Sequence, residues 1–330
     1  MGRRLSAVCV GESMAVLVPA VPGPLEEVAT FHREMGGAES NVARGLVSLG
    51  VPTAWVSRVG DDGFGRHLLA ALTAAGVDTS GVEVDPVRPT GLYVKEIGPL
   101  GTRPRYYRTG SAASRLGPSF LDDPVVARLL AEADLVHLSG ITAALSDSCL
   151  ALVEALLHAR RPGRLVSFDL NWRPALWHDR DPSVLRRLLD AADIVLLGAD
   201  EAGLVLGTDD PAELRELLPG PGTIVVKDDA RTATALGREE TVAEPALTVE
   251  VVEPMGAGDA FASGYLAGTL RGYDQRRRLR LGHLMAAGAL VVPGDHGVPP
   301  APEVIDRLLT CTAAQWAAIR VSAAGIGGTP

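Results

Sequence analysis

Along most of the chain, short runs of near-continuous apolar residues alternate with segments of helical period, and no other feature constrains the fold as strongly. Leu5–Val10 reads as a first core strand, followed after an interruption by a helix at Ala38–Leu49, a strand at Thr53–Val59 and a helix at Phe64–Ala75. The order returns in Asp134–Leu138 with Ser146–Ala159, and in Arg164–Asp169 with Pro182–Ala191. It returns again in Asp193–Leu197 with a helix near Asp200–Leu206, before a strand at Thr223–Lys227. Strands apolar at successive positions have no wet face, so they belong inside a parallel sheet covered by helices on both sides. The predicted fold class is α/β: one domain over residues 1–330, built on a doubly wound, mostly parallel sheet.

Two stretches break the alternation. Met14–Glu34 carries turn residues (Pro19, Pro22, Gly23, Pro24) and no helical period, and Thr90–Thr109 reads as two strands joined around Gly98–Gly101. These insertions, at about 12–35 and 88–112, can pair into a small β-sheet lid over the carboxyl ends of the main sheet, where such folds bind ligands. They also suit a pair of plain surface hairpins. The last residues, 321–330, read as a frayed, flexible tail.

Charge narrows the class of partner. With 31 Lys+Arg against 40 Asp+Glu the net charge is −9, which argues against a general nucleic-acid binder or a membrane-surface protein. The longest apolar stretch, Leu284–Val292, is too short to span a bilayer. The start of the chain imitates a secretory signal, but Gly11, Glu12 and Ser13 break its apolar run, and the loose acylation pattern at Gly2–Ser6 is a chance match. Cys9, Cys149 and Cys311 are too scattered for a disulfide framework or a thiolate metal site. A cytoplasmic location is expected, and any anionic ligand must be held by a local cluster.

Four segments carry chemistry. In Met255-Gly-Ala-Gly-Asp-Ala-Phe, ahead of a helical pattern, Gly256, Ala257 and Gly258 allow successive amide N–H groups to face one cavity at a helix start. That arrangement binds anions or a transferring phosphoryl group, and Asp259 beside it suits a base for a substrate hydroxyl. The same spacing also suits an ordinary glycine-rich turn with Asp259 as its N-cap. No Gly-Lys-Ser/Thr is present, so the loop is not of Walker type. Gly36-Gly-Ala-Glu-Ser-Asn41 precedes a helix; paired glycines permit close ligand approach and Asn41 can both donate and accept, although such a pattern also simply starts a helix. Between Ile97 and Leu121 there is no Asp or Glu, yet Arg103, Arg105, Arg108 and Arg115 fall there with Tyr106 and Tyr107. Arginine with tyrosine suits a carboxylate or phosphate, and equally a solvated edge strand. Finally, Asn171 and Arg173 emerge at a predicted strand end, where Arg173 could neutralise a phosphate or tie down the loop.

With these pieces in this order, from Gly36-Gly and Asn41 through Gly60-Asp-Asp-Gly-Phe-Gly to Gly256-Ala-Gly-Asp, the chain resembles the ribokinase-like (PfkB) carbohydrate kinases. The resemblance implies a doubly wound core with a β-sheet lid and ATP-dependent phosphorylation of a sugar hydroxyl. It also implies Mg²⁺, in many members a nearby monovalent cation, and a lid that can clasp that of a second copy. Asp259 is then the base and Gly256–Gly258 the anion hole. Within the family, Gly37-Ala-Glu-Ser-Asn41, Gly91-Leu-Tyr93, Tyr106-Tyr-Arg108 and Asn171-Trp-Arg173 are most similar to 2-keto-3-deoxygluconate kinases. By that likeness Gly37, Ala38, Asn41, Tyr93, Tyr106, Arg108, Arg173 and Asp295 bind a sugar acid. Asn171, Lys227, Gly256, Gly258 and His283 serve the nucleotide, and Glu201 the metal.

Departures gather on the nucleotide side. Glu253-Pro-Met stands where Asp-Thr-Thr or Asp-Pro-Val is usual, which weakens the monovalent-cation site. Gly198-Ala-Asp-Glu201 lacks the Asn of an Asn-x-x-Glu signature, and Lys227-Asp-Asp-Ala-Arg-Thr232 has lost both glycines of Lys-Leu-Gly-x-x-Gly. Asp228 and Asp229 are read as facing solvent, and His283 replaces an Asn near adenine. The expected function is a sugar-acid kinase. The alternatives are a kinase for a neutral ketose or nucleoside, and a catalytically weak paralogue that only binds a sugar acid.

Overall fold

A parallel strand covered on both faces must send alternate side chains into two separate cores, and the main sheet does so. The computed structural model describes residues 5–98, 101–159, 161–294 and 297–328. Among the described residues nine strands form the main sheet, in the order Thr241–Pro245, Thr232–Leu236, Thr223–Asp228, Ile194–Gly198, Leu165–Asp169, Leu135–Ser139, Ala7–Val10, Thr53–Gly60 and Val82–Asp85. Pairings among the first three are antiparallel and the others parallel. Ala7 and Cys9 join Trp55, Leu135, Leu196 and Val225 on one side, while Val8 and Val10 join Val56, Leu138 and Val195 on the other.

Helices Ala38–Ser48, Gly63–Ala74, Ala257–Leu270 and Gln275–Leu290 cover the first side, and Pro124–Glu132, Asp147–His158, Ser183–Ala191 and Pro211–Leu217 the second. Their starts are fixed by side chains that satisfy orphan amides. Asp62 accepts from Phe64 and Gly65, Asp274 from Arg277, and Asp123 from Val125 and Val126 just ahead of Pro124. None of the described helices is long and apolar enough to cross a membrane.

The strands expected between Leu5 and Lys227 are present within two residues of their predicted ends. Sequence reading missed both edges. Val82–Asp85 is a four-residue strand, and Thr232–Leu236 with Thr241–Pro245 makes a hairpin whose second strand is largely exposed. Edge strands of this kind bury too little to leave a strong pattern.

The two insertions meet in a four-stranded sheet, ordered Phe31–Gly36, Met14–Pro19, Leu92–Gly98, Gly101–Tyr107. Register places Val16 beside Tyr93 and Tyr93 beside Tyr106. The pleat therefore turns Tyr93, Lys95 and Tyr106 to one face, and Met14, Val16 and Tyr93 bury themselves there against Met255 of the body.

The tail is a correction. Arg320–Ser322 pairs with Thr248–Val249 and with Gly325–Gly327, so the residues expected to fray form a small third sheet. Burial holds them: Trp316, Ile319 and Val321 extend the first core.

The helices after Gly256 pack unusually close. A Cβ on Gly264 would lie 2.4 Å from the Leu281 carbonyl oxygen and 2.7 Å from its carbon. Backbone cannot yield as a side-chain tip can, so Gly264→Ala is expected to cost about 1–3 kcal/mol. A urea unfolding midpoint equal to that of the wild type would refute the close approach.

Candidate active site

Gly256 opens the helix Ala257–Leu270 at φ +82, a left-handed conformation that glycine adopts without penalty. Asp259 therefore sits in the first turn, beside amide groups that have no partner within the helix. Its Oδ2 accepts a hydrogen bond from Asn41 Nδ2 at 3.0 Å, and its Oδ1 a longer one from Asn171 Nδ2 at 3.4 Å. Asn41 comes from the first turn of helix Ala38–Ser48, and Asn171 from the residues just past strand Leu165–Asp169, at φ +42. Asparagine is among the few residues that tolerate that conformation. Because the Asn41 amide nitrogen faces Asp259, its Oδ1 is left as a buried acceptor without a partner, suited to a ligand hydroxyl.

Beneath Asp259, Lys227 Nζ lies 3.0 and 3.3 Å from the two oxygens of buried Asp169. Glu201 accepts the amides of Trp172 and Gly198, both at 2.8 Å, and Arg173 Nη1 stands 3.9 Å from it. With Asn171, Met255, Gly256 and Gly258 these groups line a recess of about 350 Å³. Burial raises the Asp259 carboxyl to about 7; the Asn41 hydrogen bond opposes this, Asp169 adds to it, and Arg173 and Lys227 pull it back. Burial pushes Lys227 down, but Asp169 and Glu201 more than reverse that, so its ammonium persists.

A second chamber of about 420 Å³ shares Glu201, Lys227 and Gly258 with the recess. Phe261, Leu247, Ala287, Leu290 and His283 wall it. Burial lowers His283 to about 4, and its Nε2 lies 3.1 Å from the Glu244 carbonyl oxygen. That oxygen only accepts, so the neutral ring carries its proton on Nε2 and leaves Nδ1 as an acceptor. The two aspartates of the altered loop part company. Asp228 is held by Arg231 and does not line the chamber, as expected of a solvent-side residue. Asp229 is exposed, in keeping with the expectation that it faces solvent, and stands at the chamber's rim at φ +44.

The arginine cluster is also corrected. Arg105 pairs with Glu96 at 2.6 Å on the lid's exposed side, Arg103 is exposed, and Arg115 lines a separate cleft with Arg58 and Glu83. Only Arg108 turns inward, its guanidinium 5.6 Å from the Tyr106 ring centroid. It pairs with fully buried Glu12, which also accepts from Ser111 at 2.5 Å, while Arg108 Nε is buried without a partner. Tyr93 is buried with its ring 5.5 Å from that of Tyr106. Gly37 precedes Ala38 where a Cβ would meet the Glu12 carbonyl oxygen at 2.5 Å. Asp295 lies outside the described residues.

Sequence reading thus missed Asp169 and Glu12, the carboxylates that orient Lys227 and Arg108. A weak signal existed for each: Asp169 ends a buried strand, and Glu12 follows the first one. Among the described residues no three His, Cys, Asp or Glu side chains converge as a cage for a metal ion. The carboxylates of Asp169, Glu201 and Asp259 do line one recess, and this hard-oxygen set suits a Mg²⁺ held mainly by phosphate and water. Glu253 does not suit a second, monovalent ion, because its carboxylate already meets the Lys95 ammonium at 3.1 Å and the Met255 amide at 3.3 Å.

A family model described as pfkB family carbohydrate kinase matches residues 4–301. The chain is 40% identical to a 2-dehydro-3-deoxygluconokinase of Thermoproteus tenax, over 92% of this chain and 94% of that one. It is 34% identical to one of Bacillus subtilis, over 93% and 96%. A sugar kinase of Pyrococcus horikoshii, solved in complex with ATP, superposes with a TM-score of 0.79 at 25% identity, covering 93% of this chain and 98% of that one.

The raised Asp259 makes stability depend on pH. Its native value of about 7 exceeds the ordinary 3.8, so its contribution is full below about 3.8 and is lost as pH rises through about 7. Asp259→Asn escapes that loss and is expected to gain in Tm over the wild type between about pH 4 and about pH 8. A Tm difference that stays flat across that range would show the carboxyl to be unshifted.

Proposed function

The chain belongs to the pfkB family of carbohydrate kinases, and we propose that it transfers the γ-phosphate of ATP to the terminal hydroxyl of 2-keto-3-deoxygluconate, a sugar acid. One observation carries the chemistry: a carboxylate with a pKa of about 7, cradled by two amides at a helix N-terminus. The acceptor hydroxyl donates to Asp259, and Asn41, whose Nδ2 donates to that carboxylate, offers its unpartnered Oδ1 as an acceptor for a neighbouring substrate hydroxyl. As the new O–P bond forms and the bond to the β–γ bridging oxygen breaks, Asp259 takes the hydroxyl proton. Charge leaving with ADP meets the amides after Gly256, with Lys227 and Arg173 nearby. Glu201 and Asp169 would help to hold Mg²⁺, which would supply charge neutralisation for the transferring phosphoryl group.

We assign Gly37, Ala38, Asn41, Tyr93, Tyr106, Arg108, Arg173 and Asp295 to the sugar acid. Support comes from the names of both relatives and from the unpartnered Arg108 Nε, a donor reserved by Glu12 at the other end of the guanidinium. Gly256, Gly258, Lys227, Asn171 and His283 are assigned to the nucleotide, in keeping with the ATP complex of the archaeal sugar kinase. The ATP requirement fits a cytoplasmic location, and the lid is the surface we assign to pairing with a second copy. We also propose that no monovalent cation is needed, because Lys95 already neutralises Glu253. Equal rates in potassium and tetramethylammonium salts are expected, and potassium-dependent rates would refute this.

The decisive experiment measures ATP consumption with a panel of sugar acids and matched neutral ketoses. The wild type is expected to favour the acid. Asp259→Asn should lower kcat by about 10²–10⁴-fold while the sugar KM holds. Arg108→Gln should raise KM for the acid far more than for the ketose. Near-normal turnover by Asp259→Asn would remove the base, and equal KM effects would favour a neutral acceptor.

A further inference from the structure

Lys95 belongs to a lid strand, yet it is only 2% exposed. Two residues after Tyr93, it shares the face that meets the body. Its Nζ lies 3.1 Å from Glu253 Oε2, across a sequence separation of 158 residues. The other oxygen of Glu253 accepts the Met255 amide at 3.3 Å, and the Glu253 amide donates to Leu290 at 3.2 Å. Met255 in turn packs against Met14, Val16 and Tyr93. The residues leading into Gly256 are therefore gripped from the lid twice, once by an ion pair and once by apolar contact.

A buried ion pair is a poor way to gain stability, since an apolar pair of similar volume often does as well or better. It is a good way to fix position, because its geometry is directional. The segment it fixes carries the amides and the carboxylate of the transfer site, where a shift of about 1 Å can cost about 10²-fold in rate.

We propose that Lys95 is a positioning residue for phosphoryl transfer. Seated through the lid, its ammonium holds Glu253, and Glu253 holds the turn that shapes the anion hole. Closure of the lid over the sugar, on the face that also bears Tyr93, thereby completes the nucleotide side of the site. This rests on the kinase reading above.

The test compares full-length wild type, Lys95→Met, Lys95→Arg and the reversed pair Lys95→Glu/Glu253→Lys. Lys95→Met is expected to lose about 10–100-fold in kcat while KM for sugar and ATP holds. Lys95→Arg and the reversed pair should recover much of the loss. A raised KM at unchanged kcat, or a reversed pair no better than Lys95→Met, would overturn the proposal. Amide hydrogen exchange over residues 253–259 supplies a readout that needs no activity: exchange should quicken in Lys95→Met and slow again in the reversed pair, and equal exchange in all variants would overturn it. Should the wild type phosphorylate none of the sugars, the substrate reading fails, while exchange still decides the role of Lys95.

Discussion

The buried pair between Lys227 and Asp169 is the contact on which the cleft depends. Its partners end two strands that flank Ile194–Gly198, so the pair spans the middle of the parallel sheet at its carboxyl edge. A lysine and an aspartate taken out of water are costly alone and tolerable only together. Once paired, they set the field for the rest. Asp169 helps to raise Asp259, Lys227 restrains that rise, and the same ammonium opposes the burial-driven rise of Glu201. Nearby His137, sealed in the sheet against Ser167, is held neutral by burial, with its pKa at about 4. Burial is what chiefly raises Asp259 to about 7, and the strand-end pair trims that value from both sides while Lys227 keeps its charge.

The same rule repeats around the cleft. Arg108 has Glu12, Arg173 stands near Glu201, and Lys95 has Glu253. Each cation that faces the site brings its own carboxylate. The carboxylate fixes each cation's direction, and at Arg108 it leaves the buried Nε without a partner in the protein. This differs from the cluster of free arginines that the acid-free stretch suggested. That stretch is acid-free in sequence only, since Glu96 and Glu12 reach it from elsewhere.

What could be read from the chain was whatever is local. The Gly256–Asp259 turn, the helix starting after Gly37 and the strand-end Asn171 announce themselves within a few residues, because backbone geometry demands particular side chains there. The alternating strands were legible for the same reason. What could not be read depends on distant partners. Nothing near Asp169 points to Lys227, 58 residues on, and nothing near Glu12 points to Arg108, 96 residues on. Asp229 shows a subtler limit. Its carboxylate could be counted, but its left-handed backbone, at φ +44, could not.

The altered nucleotide-side residues can now be weighed by position. Gly198 costs the site little, because its backbone amide still anchors Glu201, and a side chain there would crowd Asp200 Oδ1 at 2.6 Å. Asp228 is balanced by Arg231 outside the chamber. His283 stays neutral and keeps an acceptor. Asp229 differs: it occupies a left-handed position, which aspartate, like asparagine, tolerates. The residue stands at the rim of the chamber that adjoins the recess and is exposed there. Thr232, whose hydroxyl donates to the Glu244 carbonyl oxygen, and Glu253, paired with Lys95, are likewise satisfied within the protein.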